Sequence, residues 1–230
     1  MPRTRSKPAP KVTRAEGKAA ASTRILTSAR KLFLKQGFDS VSMRQIASAA
    51  RFTPGALYVH FKDKHELVLA LMNQDFALFQ QSMDATRAIS DPVERLRELG
   101  RAYIRFALNH PHHYQLMFMT APPQTAAQAS DIEHKNPDKD GYACLRATVA
   151  DCIAQHRFQP QYSNVEATTQ MCWASAHGLV SLYIAHHKAP WVKFRDPLET
   201  AWQLLDVHLS GLTGGSWKPP QSPRKRGEKP

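Results

Sequence analysis

The residues from Ser42 to Phe61, SMRQIASAARFTPGALYVHF, constrain the chain more than any other stretch, because they hold two short helical patterns separated by a brief break. Ser42 is suited to cap the first pattern, its hydroxyl accepting a backbone N–H two or three residues on. Ile46, Ala47 and Ala50 then form a narrow apolar face. Thr53 is suited to cap the second pattern, with Pro54 at the first helical position, where its missing N–H costs nothing. Leu57 and Phe61 make the apolar stripe, while Gly55, Ala56, Val59 and His60 fall largely on the other side. The spacing predicts a helix over Thr53–His60 whose exposed face begins with small residues and can approach another surface closely. Helix, tight turn, helix is the shape that enters a DNA major groove.

The flanking residues agree with that shape. Ser22 or Thr23 is suited to cap a helix running to about Gln36, with Ile25, Ala29, Leu32 and Phe33 facing a core and Gly37 as a left-handed exit. Across Ile25–Met72 the matching features are Ala29-x-x-Leu32-Phe33, Gly37-Phe38, Ile46-Ala47, Gly55-x-Leu57-Tyr58-x-His60-Phe61 and Lys64-x-x-Leu67. In that order they make this region resemble the DNA-binding domain of the TetR family of bacterial transcriptional regulators. One position departs from the family pattern. The turn after the first helix of the pair usually holds Gly, and here it holds Arg51. A non-Gly residue at positive φ is mildly costly, so either the turn is reshaped or Arg51 reaches a phosphate.

Charge is divided along the chain. Residues 1–24 carry 7 Lys/Arg against 1 Glu, and residues 25–70 carry 7 against 3 acids. Residues 71–217 carry 12 against 14, and residues 218–230 carry 5 against 1. The formal charge of +12 therefore belongs to the motif region and the two ends, an electrostatic footprint for a polyanion. Cys144, Cys152 and Cys172 lack Cys-x-x-Cys spacing and lie in apolar stretches, which predicts buried, reduced thiols; a redox-sensing thiol is the alternative. The basic N-terminus has no apolar core of a signal peptide, and no run of about 18 apolar residues predicts a membrane span. A cytoplasmic protein is expected.

The expected organisation is all-α. Residues 1–20 form a disordered basic arm, residues 21–70 a three-helix helix-turn-helix domain with its motif at 42–61, residues 71–215 a helical ligand-binding and dimerisation domain, and residues 216–230 a disordered basic tail. A long fourth helix follows Lys64, with Leu67, Leu71, Phe76, Phe79 and Met83 among its apolar positions. Asp91-Pro92 opens a helix to Asn109, and Pro111 opens a short one. After a Pro-rich loop, Tyr142–Arg157, Ser163–His187 and Asp196–Leu212 read as three more helices, the last stopped by Gly214-Gly215. The resemblance implies that the final two helices pair with their copies in a homodimer, consistent with bundle packing. Trp173-x-x-x-His177-Gly178 is similar to the Trp-His-Gly signature of one C-terminal subclass of the family.

The resemblance also implies site residues. For double-stranded DNA they are Ser42, Arg44, Thr53, Gly55, Ala56, Tyr58, His60 and Lys64, with Arg44 the residue placed to read a base edge. For a small apolar or aromatic effector the candidates are Tyr103, Phe106, Met117, Phe118, Met171, Trp173, His177 and Trp202. That an apolar pocket exists among them is an implication of the family; taken singly, each is ordinary core. His110, His112, His113, His186 and His187 raise a metal reading, but adjacent His residues diverge on a helix and no carboxylate or Cys sits at i+3 or i+4. No nucleophile elbow, phosphate loop or His-Glu-x-x-His pattern is present, so neither catalysis, metal nor cofactor is expected. The competing function is a helical ligand- or partner-binding protein whose basic ends bind polyanions without sequence preference.

Overall fold

A computed structural model describes residues 13–120 and 135–218, and every regular element among them is helical. The predicted arm (up to residue 12), most of the Pro-rich loop (121–134) and the tail beyond residue 218 lie outside the described residues. No helix among the described residues is long and apolar enough to cross a membrane. The chain divides into two compact units, one of residues 1–74 with 115–130 and one of residues 75–114 with 131–230.

The first unit contains α1 (Arg14–Gln36), α2 (Met43–Ala50), α3 (Pro54–Tyr58) and the start of α4 (Lys64–Met83). Its core joins Ile25, Ala29, Phe33, Ile46, Leu57 and Leu71, so the apolar stripes read from the sequence face one another. Each large side chain buried this fully contributes about 1.5–3 kcal/mol against exposure. Three expectations are corrected here. First, α1 begins at Arg14 and not after Ser22. Thr13 Oγ1 accepts the Glu16 N–H at 3.2 Å and the Glu16 carboxylate accepts the Thr13 N–H at 2.7 Å, a capping box that starts the helix within the supposed arm. Second, Gly37 adopts φ 81, ψ 159, a positive φ with an extended ψ, so it is not a left-handed cap. Third, α3 ends at Tyr58, because the chain tightens and the His60 N–H bonds to the Leu57 carbonyl at 2.9 Å.

The second unit contains the rest of α4, a 3₁₀ turn (Asp84–Ala88), α5 (Pro92–Asn109), α7 (Gly141–Ala154), a 3₁₀ turn (Pro160–Tyr162), α8 (Val165–His186) and α9 (Pro197–Thr213). Helix α6 (Pro111–Phe118) contributes Pro111–Tyr114 here and Gln115–Phe118 to the first unit. Helices α5, α7, α8 and α9 pack around Val93, Leu96, Val149, Cys172, Leu209 and Leu212. Asp91 and Asp196 accept backbone N–H bonds at the starts of α5 and α9, as their Asp-Pro pairs predict. Arg97 of α5 is 5% exposed; its Nε donates to Asp206 of α9 at 2.8 Å while its guanidinium lies 5.6 Å from the Trp217 ring. Burial pushes the Cys152 and Cys172 thiols up to about 12, which disfavours the thiolate that redox chemistry needs.

Candidate functional site

The α2–α3 pair presents a polar surface over an apolar underside. Ser42 and Gln45 form a reciprocal capping box, the Gln45 N–H reaching Ser42 Oγ at 3.3 Å and the Ser42 N–H reaching Gln45 Oε1 at 2.7 Å. The Ser42 hydroxyl also donates to Gln45 Oε1 at 2.9 Å, so it is engaged locally. What remains for an incoming anion is the N–H of Met43 and of Arg44, which have no intrahelical acceptor. Thr53 Oγ1 accepts the Ala56 N–H at 3.2 Å and starts α3. Arg44, Thr53, Gly55 and Tyr58 are exposed while Ile46, Ala47 and Leu57 are fully buried. Tyr58 is 50% and Val59 76% exposed, so neither ring nor isopropyl group serves the core. A Cβ added at Gly55 would meet nothing within 4 Å, so the subunit itself gives no reason for a glycine there.

Two of the expected contact residues are turned to other partners. His60 is half-buried, its Nδ1 3.3 Å from Ser22 Oγ and its ring edge-on to Phe52 at 6.0 Å. Lys64 Nζ donates to the Asp39 carbonyl at 3.4 Å. Ala56 is half-buried at the foot of α3. Ser22 thus lies inside α1 and reaches the motif, where the sequence suggested a helix cap.

The turn between α2 and α3 carries a feature that spacing alone left open. Arg51 sits at φ 60, ψ 47, the left-handed conformation, which costs a non-Gly residue roughly 1–2 kcal/mol. Its N–H bonds to the Ser48 carbonyl at 3.1 Å, and the next N–H, of Phe52, bonds to Ala47 at 2.8 Å. The turn is therefore not reshaped. Beside it, Arg24 of α1 donates to the Ala50 carbonyl at 2.9 Å and lies 5.0 Å from the Phe52 ring. No local sequence signal marks Arg24 for this task, since its partners lie 26 and more positions away.

In the second unit, Tyr103, Tyr114, Trp173 and His177 form one hydrogen-bonded cluster. Trp173 Nε1 donates to the Tyr103 hydroxyl at 3.1 Å, the two Tyr hydroxyls are 2.9 Å apart, and Tyr114 OH lies 2.6 Å from His177 Nδ1. Tyr103 OH lies 3.1 Å from the same nitrogen. Burial pushes the Tyr103 hydroxyl up to about 12 against the opposing hydrogen bonds, and raises Tyr114 as well. Burial lowers the His177 imidazole, favouring its neutral form. A neutral ring with the proton on Nε2 lets Nδ1 accept from Tyr114, and the chain of donors from Trp173 onward is then satisfied. Phe79 packs edge-on to Tyr103 at 5.8 Å and to Phe106 at 5.1 Å. The sequence pattern does not single out Tyr114 or Phe79 for this cluster; Tyr114 lies in a helix too short to show a period.

Of the other expected pocket residues, Met117 and Phe118 belong to the first unit. Met171 is 44% exposed on α8. The guanidinium groups of Arg101 and Arg105 each lie 5.1 Å from the Trp202 ring, a cation–π arrangement. Of the histidines, His113 Nδ1 lies 2.9 Å from Oδ1 of the fully buried Asp75, in a geometry that is not that of a hydrogen bond. His186 packs on Trp191 and His187 on Tyr183. A groove of about 310 Å³ beside Phe106 is lined by Leu78, Gln81, Ser82, Arg105 and His110. A second, more apolar groove of about 460 Å³ is lined by Leu179, Leu182, Tyr183, Phe194, Pro197 and Leu204.

Comparison with known proteins matches both parts of the chain. Residues 25–71 match the model of bacterial regulatory proteins of the tetR family, and residues 96–207 match that of a tetracyclin repressor-like C-terminal domain. The second description is broader than the Trp-His-Gly subclass. The HTH-type transcriptional regulator UidR of Escherichia coli K12 is 36% identical over 81 residues, 34% of this chain and 41% of that protein. The HTH-type transcriptional repressor KstR2 of Mycobacterium tuberculosis is 30% identical over 115 residues, 49% of this chain and 57% of that protein. These matches thus span about half the length of the curated relatives. Among solved structures, ketosteroid transcriptional regulator KstR2 of Mycobacterium tuberculosis superposes with a TM-score of 0.67 at 21% identity, covering 84% of this chain and 94% of that one. FadR of Bacillus subtilis in complex with stearoyl-CoA superposes with a TM-score of 0.63 at 15% identity, covering 83% and 98%. At these identities the superpositions establish the fold.

Proposed function

The chain belongs to the TetR family of bacterial regulatory proteins, a family of transcription regulators and not of enzymes, and from that premise we propose a ligand-responsive repressor that binds a near-palindromic operator as a homodimer. The observation that carries this reading is the division of α2 and α3 into a buried face of Ile46, Ala47 and Leu57 and an exposed face of Arg44, Thr53, Gly55 and Tyr58. In each subunit α3 would enter the major groove, with two copies about 34–36 Å apart or a multiple of that distance. Arg44 would read a base edge, while Thr53 and Tyr58 would position the helix on the backbone. The work would be done in the cytoplasm, where chromosomal DNA is.

Dimerisation would use α8 and α9. Leu182 is 56%, Leu198 38% and Val207 71% exposed, and Met171, Ala174 and Ala185 continue the apolar stripe of α8. A Cβ at Gly178, inside α8, would meet nothing within 4 Å. An interior helical glycine costs about 0.5–1 kcal/mol relative to Ala, and close approach of a partner helix supplies a reason for it.

The effector would be a small apolar or aromatic molecule held near the Tyr103–Tyr114–Trp173–His177 cluster, where aromatic faces adjoin a few polar groups. The edge-on contact of the Trp173 and His177 rings at 6.0 Å supports assigning the body to the Trp-His-Gly subclass as part of this proposal. Two structural neighbours support this chemical class: FadR of Bacillus subtilis is in complex with stearoyl-CoA, and KstR2 is a ketosteroid transcriptional regulator. A ligand that binds the DNA-free state more tightly releases DNA, and DNA weakens that ligand by the same factor. Turning 99:1 into 1:99 requires about 5.5 kcal/mol of differential affinity.

Selection of bound duplexes from a random pool tests the reading. A near-palindromic consensus bound by two subunits is the expected result. Equal affinity for selected and random duplexes at every salt concentration would instead favour the non-specific polyanion binder.

A further inference from the structure

We propose that Arg51, in the turn between α2 and α3, is a DNA-phosphate contact of this chain, an inference that rests on the DNA-binding reading above. The first argument is strain. Arg51 is held at φ 60, ψ 47, a conformation that glycine adopts without penalty and an arginine does not. The turn's own hydrogen bonds, from the N–H groups of Arg51 and Phe52 to Ser48 and Ala47, need only the backbone. The arginine side chain therefore stands at a position where the backbone favours glycine, and strain of this kind gathers where a side chain serves a function.

The ordinary structural task of a cation at this place is already filled by another residue. A cation at a helix C-terminus normally bonds the last carbonyls and offsets the negative end of the dipole. At α2 that place is taken: Arg24 donates to the Ala50 carbonyl at 2.9 Å and packs over Phe52. Among the described residues no acid pairs with the Arg51 guanidinium, and the side chain is exposed. Arg51 adjoins the exposed run Thr53, Pro54 and Gly55 that opens α3. A long, unpaired guanidinium at the rim of a groove-entering helix fits a phosphate oxygen, where bidentate charge-assisted bonds form.

The test uses the full chain, wild type and Arg51→Gly, titrated against the selected duplex and a random duplex over a salt series, with thermal unfolding alongside. Removing one phosphate contact makes the slope of log affinity against log salt shallower by about 0.9. At 0.15 M salt that corresponds to about fivefold weaker binding, equal for both duplexes because phosphate carries no sequence. The melting temperature of Arg51→Gly should be equal to or above wild type. An Arg51→Asn variant, which also tolerates the left-handed conformation, should repeat the loss, and Arg51→Lys should restore the slope. Wild-type affinity and slope in Arg51→Gly would overturn the proposal while leaving the DNA-binding reading intact. A loss confined to the selected duplex would overturn the phosphate assignment. Absence of wild-type binding to both duplexes would overturn the underlying reading itself.

Discussion

In the head, Ser42 and Thr53 start their helices through N–H groups three residues away, whereas in the body Arg97 reaches Asp206 across 109 positions and Tyr103 reaches His177 across 74. The short helices α2 and α3 of this first unit cannot stand on propensity alone; they combine local caps with one small core. The body's helices hold polar groups in half-buried places, and Arg97, Tyr103 and Trp173 find their partners on another helix. The contrast teaches where each region is vulnerable. The head should fail through its core and yield gradually through its caps, and the body should fail through its few buried polar links.

The largest expected effect is in the head. Leu57→Ala removes a fully buried side chain from a five-residue helix, and a loss of about 4 kcal/mol by denaturant unfolding is expected. Arg97→Ala tests the body. It leaves Asp206 without its 2.8 Å partner and uncovers Trp217, and should cost about 3 kcal/mol, with Trp217 fluorescence shifting towards that of exposed indole. If the substitution is silent, the long-range link is not what holds α9 to α5.

Arg44→Ala sharpens the comparison on the binding side. It should lose about 2 kcal/mol of discrimination at one base pair while the melting temperature stays put; uniform weakening on all duplexes would make Arg44 a phosphate contact. Ser42→Ala removes a local cap and should cost about 1 kcal/mol. Calorimetry showing several times that loss would mean the capping box supports more than its own helix.

The smallest effect is expected from protons in the body. Burial lowers His177 and His208, and burial together with the nearby His113 lowers His110, from the ordinary value of 6.5. Below that value the unfolded chain binds more protons than the folded one, so stability is fully present above about pH 6.5 and declines as pH falls towards the folded values. His177→Gln should flatten that decline in thermal melts between pH 7.5 and 5. An unchanged profile would show that His177 is not among the groups responsible.

Much of this molecule was legible in its residues because the relevant physics is short-ranged. Capping at Ser42 and Thr53, the Asp-Pro starts at Asp91 and Asp196, the stop at Gly214 and the apolar faces of α2, α4 and α5 all follow from neighbours within one or two helical turns. The start of α1 was equally local, a Thr13–Glu16 box, yet it lies among charged residues with no apolar face to announce a helix. The body cluster shows the same division. Tyr103, Phe106, Trp173 and His177 stand on clear helical stripes and do meet, directly or through Phe79, but whether an aromatic ring meets a hydroxyl or a guanidinium depends on the neighbouring helix.

By itself, then, the order of residues determined which segments are helical, where most of them begin and which sides are apolar, since caps and periodicity act over a few bonds. Only the tertiary structure decided that Arg24 closes α2 beside a strained Arg51, that His60 turns towards Ser22, that Tyr114 completes the cluster and that Trp202 packs with two arginines. Those pairings join residues far apart in the chain, and their energies exist only once burial has stripped water from the groups and brought them together.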